Sequence, residues 1–245
     1  MSTCVEWARR RRNPATTSDG TDCSLRRSRC LGRMSGAAVF SMLRQMRADD
    51  LNVLLAARQS TKSFAGTSLR AGELHGLLSA VFGVAPDGRR SYGSAHARYP
   101  VTATVVVGDV RGLAAGSYRI TGSGGLRALE HGDHRELIAQ STIDAAWAVA
   151  CPVLLVLSAN VGAERAEFTS QAEGRGERFI AMEIGLIAQT VHLVAAGLDL
   201  GTALIAGVHD EAVRRLPESI VPPGDELLAV MPLGRATRDG TAASG

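Results

Sequence analysis

Arg58, Ser60 and Lys62 are spaced by two in the segment Arg58-Gln59-Ser60-Thr61-Lys62-Ser63-Phe64. Alternate residues of an extended segment point the same way, so all three can face one ligand. An arginine grips a phosphate through two parallel N–H donors, and a serine hydroxyl adds another donor. A lysine beyond them stabilises negative charge elsewhere on the same molecule. Three polar residues at this spacing also suit a solvated turn ahead of a helix, and the spacing by itself does not choose.

Other candidates have plainer explanations. His131, Asp133 and His134 form a polar turn whose spacing matches no standard zinc pattern. The run Thr121-Gly122-Ser123-Gly124-Gly125 is not followed by a helix start, so it fits a hairpin turn and neither the P-loop nor the dinucleotide fingerprint. His192 lies in an apolar helix and reads as a hydrogen-bonded core or interface residue. Trp147 reads as core or interface. Cys4, Cys23 and Cys30 fall in the first thirty residues, and Cys151 abuts an apolar strand. The absence of a Cys-x-x-Cys pair or an even cysteine framework in the remainder points to a reducing cytoplasm.

The elements that must position these residues are organised around Glu177 to Gly207. Residues up to Ala196 predict a long helix, with Gly197 as the left-handed residue that ends it. Thr202 to Ala206 is a short strand candidate. Phe179, Met182, Leu186 and Leu193 lie on one side of the helix; Ile180, Ile184, Ile187, Val191 and Val194 lie on others. A helix apolar all round is buried all round. Glu183, Gln189, His192 and Asp199 argue against a membrane span, because an acidic side chain at mid-bilayer costs about 3 kcal/mol. The remaining environment is a core continued by a second subunit.

Upstream, helices are expected over Ala37–Met46, from Asp49 to about Ala57, and over Gly72–Gly83. Strands are expected over Val101–Val107, Ser117–Ile120 and Leu126–Leu129. His134–Gln140 and Asp144–Val149 read as helical pieces and Pro152–Ser158 as a central strand. Ala163–Gly176 is polar and glycine-bearing, a loop or mobile helix. Asp210–Leu216 is a short helix and Glu226–Leu233 the last strand. The sum is a mixed α+β domain over residues 47–236, between a basic arm at 1–46 and a polar tail at 237–245.

The chain of 245 residues has 45% hydrophobic and 21% charged residues, which suits a soluble globular protein. Eight arginines oppose three acids within residues 1–33, giving that stretch +5 against +3 for the whole chain. The basic balance belongs to the arm, which reads as solvated charge or as sequence ahead of a start at Met34. It does not indicate a nucleic-acid surface on the domain. No apolar run follows the arginines to make a secretory signal.

With this context, Arg58-Gln59-Ser60-Thr61-Lys62-Ser63-Phe64 resembles the Arg-x-Ser-x-Lys/Arg-x-Phe opening motif of the nitroreductase-like FMN flavoproteins. Ser94-Ala95-His96-Ala97-Arg98-Tyr99-Pro100 is similar to the Ser-Ala-Gly-Ala-x-Tyr-Pro signature of their SagB-type dehydrogenase branch, with His96 in the glycine position. Val110-Arg111-Gly112-Leu113 to Gly116-Ser117-Tyr118 resembles a further segment of that branch. Glu183-Ile184-Gly185-Leu186-Ile187-Ala188-Gln189-Thr190 is similar to its Glu-Ala-Gly-His-x-x-Gln-Asn. The likeness covers about residues 50–236.

The resemblance implies a nitroreductase-like fold, with a central, mostly antiparallel sheet flanked by helices and the long helix at a dimer interface. It implies a homodimer with FMN at that interface. Arg58 and Ser60 would then hold the phosphate and ribityl chain, and Lys62 would sit beside N1 and O2 of the ring. Ser94, Ala95 and His96 would line the ring, with Gln189 near it. The backbone at Ala206 and Gly207 would face N5, and Arg235 would reach the phosphate. The implied activity is hydride transfer between a small-molecule or peptide substrate and NAD(P)H or oxygen. Azoline oxidation on ribosomal peptides and non-catalytic FMN storage are the alternatives. Azoline-oxidising relatives carry a Lys-Tyr pair about seven residues ahead of the central helix's Arg-Phe/Tyr; the equivalent positions here are Gln171 and Ala172.

Overall fold

The computed structural model describes residues 48–143 and 145–237. The expected helix Ala37–Met46, the basic arm, its three cysteines and all of the C-terminal tail but Thr237 lie outside them. The chain runs through α1 (Ala48–Ala57), β1 (Leu69–Arg70), α2 (Ala71–Phe82), β2 (Thr102–Val107), β3 (Val110–Arg111), β4 (Gly116–Ile120) and β5 (Leu126–His131). It continues through α3 (Arg135–Gln140), β6 (Val153–Ala159), α4 (Val161–Phe168), α5 (Arg175–Gly197), β7 (Gly201–Thr202), α6 (Asp210–Val213) and β8 (Glu226–Gly234). Six strands form one sheet in the order β5-β4-β2-β6-β8-β7, and every neighbouring pair is antiparallel. β1 and β3 form a small parallel pair beside it.

The continuous apolar run of β6 is explained by its central place. Val153, Leu155, Leu157 and Ala159 join a core beneath α2 and α5, while Leu154 and Val156 join a second core with Ile138, Ala148 and Ile220. All seven residues of the strand are buried. Each fully buried Val or Leu contributes about 1.5–3 kcal/mol. The glycine run is a turn, as expected: β4 and β5 flank it as an antiparallel hairpin.

α5 follows a 3.6-residue period. Ile180, Ile184, Ile187, Val191 and Ala195 face the core, with Glu183 and His192 among them. The opposite face is open: Met182 is 56% exposed and Leu186 47%. Burial on every face is therefore not achieved within one chain. The helix is long and apolar enough to cross a membrane by length and composition, but nearly half of it is packed into this core. Gly197 is not the left-handed terminator expected. Asp199 takes that conformation, at φ +54°, and Leu200 N–H closes on Ala195 O at 2.9 Å. A short polar side chain tolerates this backbone better than most.

The segment expected as a loop or mobile helix contains α4. Asn160 caps it by accepting from Ala163 N–H at 2.8 Å, Glu164 pairs with Arg98, and Phe168 is buried. Gly176 lets α5 start close against it, since a Cβ there would lie 2.3 Å from Glu164 O. Smaller differences are a 3-10 turn at Ala146–Ala150 in place of a helix from residue 144, and a shorter α6. The strand expected over Thr202–Ala206 is reduced to β7 and a bridge from Ile205 to Val230.

Candidate active site

Residues 58–64 leave α1 and cross the exposed side of the sheet edge. Arg58 N–H still bonds back to Leu54 O. Ser60 then pairs with Thr202, and Thr61 N–H donates to Thr202 O at 2.8 Å. Further on, Phe64 pairs with Ala236, and Ala65 N–H donates to Arg235 O at 2.9 Å. The segment is thus tied to β7 at one end and to the residues after β8 at the other.

Exposure along it does not strictly alternate: Thr61 is buried and Arg58 half-exposed, while Gln59, Ser60, Lys62 and Ser63 are exposed. Gln59 and Thr61 line a cleft of about 250 Å³ with His192, Asp199 and Thr202. Arg58, Ser60 and Lys62 keep open surface beside it, and the Arg58 charge is felt at His192. Burial, with the Arg58 charge adding to it, lowers the His192 pKa. The imidazole thus favours its neutral form, and it is buried beside the Gln59 backbone, in keeping with the core role expected of it.

The loop at 94–101 lies over α5. Ser94 Oγ accepts from Tyr99 N–H at 2.8 Å, and the same hydroxyl lies against the Glu183 carboxylate. Glu183 also accepts from Val101 N–H at 3.4 Å. Burial raises the Glu183 pKa, outweighing the hydrogen bonds and the Arg90 charge that pull it down. His96, Ala97 and Tyr99 all have left-handed backbones, at φ +52°, +54° and +53°. This explains the glycine in the family form of the motif, because a non-glycine residue there costs about 1–2 kcal/mol. The His96 ring packs on Phe168 and Phe179, with centroids 5.5 and 6.1 Å away.

Ser94 is therefore occupied within its own loop rather than free to meet a ring, while Ala95 is partly exposed and His96 and Ala97 are exposed. Ala206 and Gly207 are exposed as well, and Gly207 O accepts from Ile143 N–H at 2.8 Å. Gln189 is on the open face of α5. Arg235 does not converge with Arg58, Ser60 and Lys62. Its guanidinium is paired with Glu73, and it lines a separate cleft of about 380 Å³ with Arg70 and Arg111. Glu73 is positioned as the third residue of α2, where its other oxygen accepts from Arg70 N–H at 2.9 Å.

The motifs gave no role to Glu183, Arg98 or Glu164. The available signal for Glu183 was its place between Ile180 and Ile187 on the buried stripe of α5, where a carboxylate must find partners. Arg98 holds Glu164 through two guanidinium nitrogens, at 2.8 and 3.1 Å. Gln171 and Ala172 lie exposed between α4 and α5 and supply no ionisable side chain.

The donor set fits a phosphorylated, electron-accepting ring: an arginine, a hydroxyl and a lysine in a row, exposed backbone at 206–207, and an ordered loop at 94–101. Comparison with known proteins bears on the fold and the family. The sequence model of the Nitroreductase family matches residues 55–235. A protein of Methanocaldococcus jannaschii assigned as a nitroreductase is 31% identical over 189 residues, covering 76% of this chain and 90% of its own. A solved structure from Anabaena variabilis, also assigned as a nitroreductase, superposes with a TM-score of 0.64 at 21% identity. That match covers 77% of this chain, which spans only 38% of the Anabaena chain. The NADPH:FMN oxidoreductase of Vibrio harveyi, solved with NAD+, superposes with a TM-score of 0.54 at 15% identity, over 80% of this chain and 72% of its own. The fold is nitroreductase-like, and the chain belongs to the Nitroreductase family of oxidoreductases.

Proposed function

We propose that the protein is an FMN-dependent oxidoreductase that works as a homodimer and takes its electrons from NADH or NADPH. The observation that carries this is that Arg58, Ser60 and Lys62 keep open surface on a segment pinned at both ends. Arg58 and Ser60 would hold the phosphate and ribityl chain. Lys62 would place a positive charge where reduced flavin is negative, which favours reduction. When bound, FMN supplies hydride acceptance and donation at N5, and the protein's part is to hold and tune it. Ala206 and Gly207 offer exposed backbone for the ring edge. Ala95 and His96 offer a surface against the ring.

The dimer is supported by an apolar outer surface. Met182 and Leu186 of α5 are exposed, as are Leu51, Val53 and Leu55 of α1, which packs beside it. Adjacent exposed apolar side chains of this size mark an interaction surface. A second copy would cover them and complete the site, with Gln189 on the same helix face. Azoline oxidation is the less favoured activity, because exposed Gln171 and Ala172 provide no acid or base.

The test is the visible absorption spectrum of the purified protein with added FMN, followed by anaerobic NADPH, with size-exclusion chromatography alongside. A bound flavin that bleaches on a dimer is the expected result. A dimer that binds FMN but stays oxidised with both NADH and NADPH refutes the proposed electron donor. A protein that binds no flavin refutes the assignment of Arg58, Ser60 and Lys62.

A further inference from the structure

We infer that Glu183 is a positioning residue: its buried carboxylate staples both ends of the 94–101 loop to α5 and so sets the surface that the loop presents to the flavin. This rests on the functional proposal above, but the staple itself is a property of the chain without ligand.

The loop has good reason to need one. His96, Ala97 and Tyr99 are left-handed within four residues, and His96 and Ala97 are exposed. A segment in that conformation relaxes unless its surroundings over-determine it. The ends of the loop meet at one carboxylate. The Ser94 hydroxyl accepts from Tyr99 N–H and lies against the Glu183 carboxylate, and Val101 N–H reaches Glu183 Oε1 at 3.4 Å. Tyr99 is held further by Tyr92, edge-on at 5.8 Å, and by the Arg90 guanidinium 4.2 Å above its ring.

Packing gives no reason for an acid here. Glu183 is 2% exposed and lies on the same buried stripe as Ile180, Ile184 and Ile187. An aliphatic residue would fill the space without the penalty of a buried charge. A carboxylate accepts from Val101 N–H and offers an oxygen to the neighbouring Ser94 hydroxyl, which no aliphatic side chain can do. The charged groups acting on it are Arg90, which stabilises the carboxylate, and Glu164, which opposes it.

Glu183→Ala, Glu183→Gln and Ser94→Ala distinguish this from simple core packing. The first readout is amide hydrogen exchange across residues 95–101 in ligand-free protein. Exchange should quicken about tenfold in Glu183→Ala, the size expected for losing a hydrogen bond to a charged group. Ser94→Ala should quicken it too. Glu183→Gln should stay near wild type, because the amide oxygen still accepts. The second readout is FMN affinity and the visible circular dichroism of the bound flavin, both of which should change in Glu183→Ala and recover in Glu183→Gln. Unchanged exchange in Glu183→Ala and Ser94→Ala overturns the staple. Glu183→Gln as impaired as Glu183→Ala also overturns it. If Glu183→Ala does not fold, Ser94→Ala and Glu183→Gln decide by the same criteria. Altered exchange in a protein that never binds FMN keeps the staple and refutes the flavin reading instead.

Discussion

Gly201→Ala tests whether the inner side of residues 58–62 fixes the outer side. An ideal Cβ at Gly201 would lie 2.5 Å from Thr61 Oγ1, 2.6 Å from its Cγ2 and 2.7 Å from its Cβ. Ordinary carbon contacts lie at about 3.5–4.0 Å, so roughly 1 Å of separation must open. Thr61 has little freedom to provide it: the residue is 7% exposed and its N–H is bonded to Thr202 O at 2.8 Å. The strand itself must lift, carrying Ser60 and Lys62. Overpacking of this kind costs about 1–3 kcal/mol. Urea unfolding followed by far-ultraviolet circular dichroism should show a lower midpoint at an unchanged slope. FMN titration should show weaker binding. Thr61→Gly removes all three contacts, so the double variant should be more stable than the sum of the two single changes predicts, by about 1–2 kcal/mol. A Gly201→Ala protein within about 0.5 kcal/mol of wild type, the range of an ordinary surface change, would refute this. So would strict additivity with Thr61→Gly.

Leu186→Asp puts a charge on the open face of α5, where Leu186 is 47% exposed in the single chain. It should shift size-exclusion elution from dimer to monomer and abolish flavin binding while leaving the far-ultraviolet spectrum intact. Cys151 is fully buried and its thiol is pushed up to about 12, so a thiol reagent at pH 8 should label it only after unfolding. His192 has a folded pKa below its ordinary value of 6.5, so the unfolded chain binds more protons as pH drops below that value. Its contribution is present above pH 6.5 and is lost as pH falls through the window beneath it. His192→Gln should flatten that part of the stability profile in urea titrations. Glu183 has the opposite sign: a raised carboxyl pKa makes its contribution fall as pH rises above 4.5.

The elements legible in the sequence are those whose pattern is local and whose burial is simple. α2 shows apolar residues at helical spacing because one face meets the sheet, and β6 shows an unbroken apolar run because both faces are covered. α4 was illegible for the converse reason. Its first turns are polar and contain a glycine, and its order comes from Asn160, from Arg98 across 66 residues and from the burial of Phe168. The left-handed residue after α5 was misplaced by two positions, at Gly197 instead of Asp199, because a glycine near a helix terminus is a good terminator. Here, however, the turn was closed by Asp199.

The same division runs through the candidate site. The exposure of Ser60 and Lys62 on either side of buried Thr61 follows from an extended backbone, but exposed Gln59 breaks the alternation that the spacing suggested. The directions of Ser94 and Arg235 depend on carboxylates far away in sequence. The Ser94 hydroxyl lies against Glu183, and Glu73, 162 residues from Arg235, holds its guanidinium in another cleft. A motif specifies which residue stands at a position, but the nearest strong partner decides where its polar end goes. For Arg235 to bind a flavin phosphate it would have to leave a part-buried carboxylate that also caps α2 through Arg70 N–H. Charge-assisted pairs of this kind are the strong ones, and among the described residues no carboxylate is paired with Arg58 or Ser60, which is why the proposed phosphate site is built on those two.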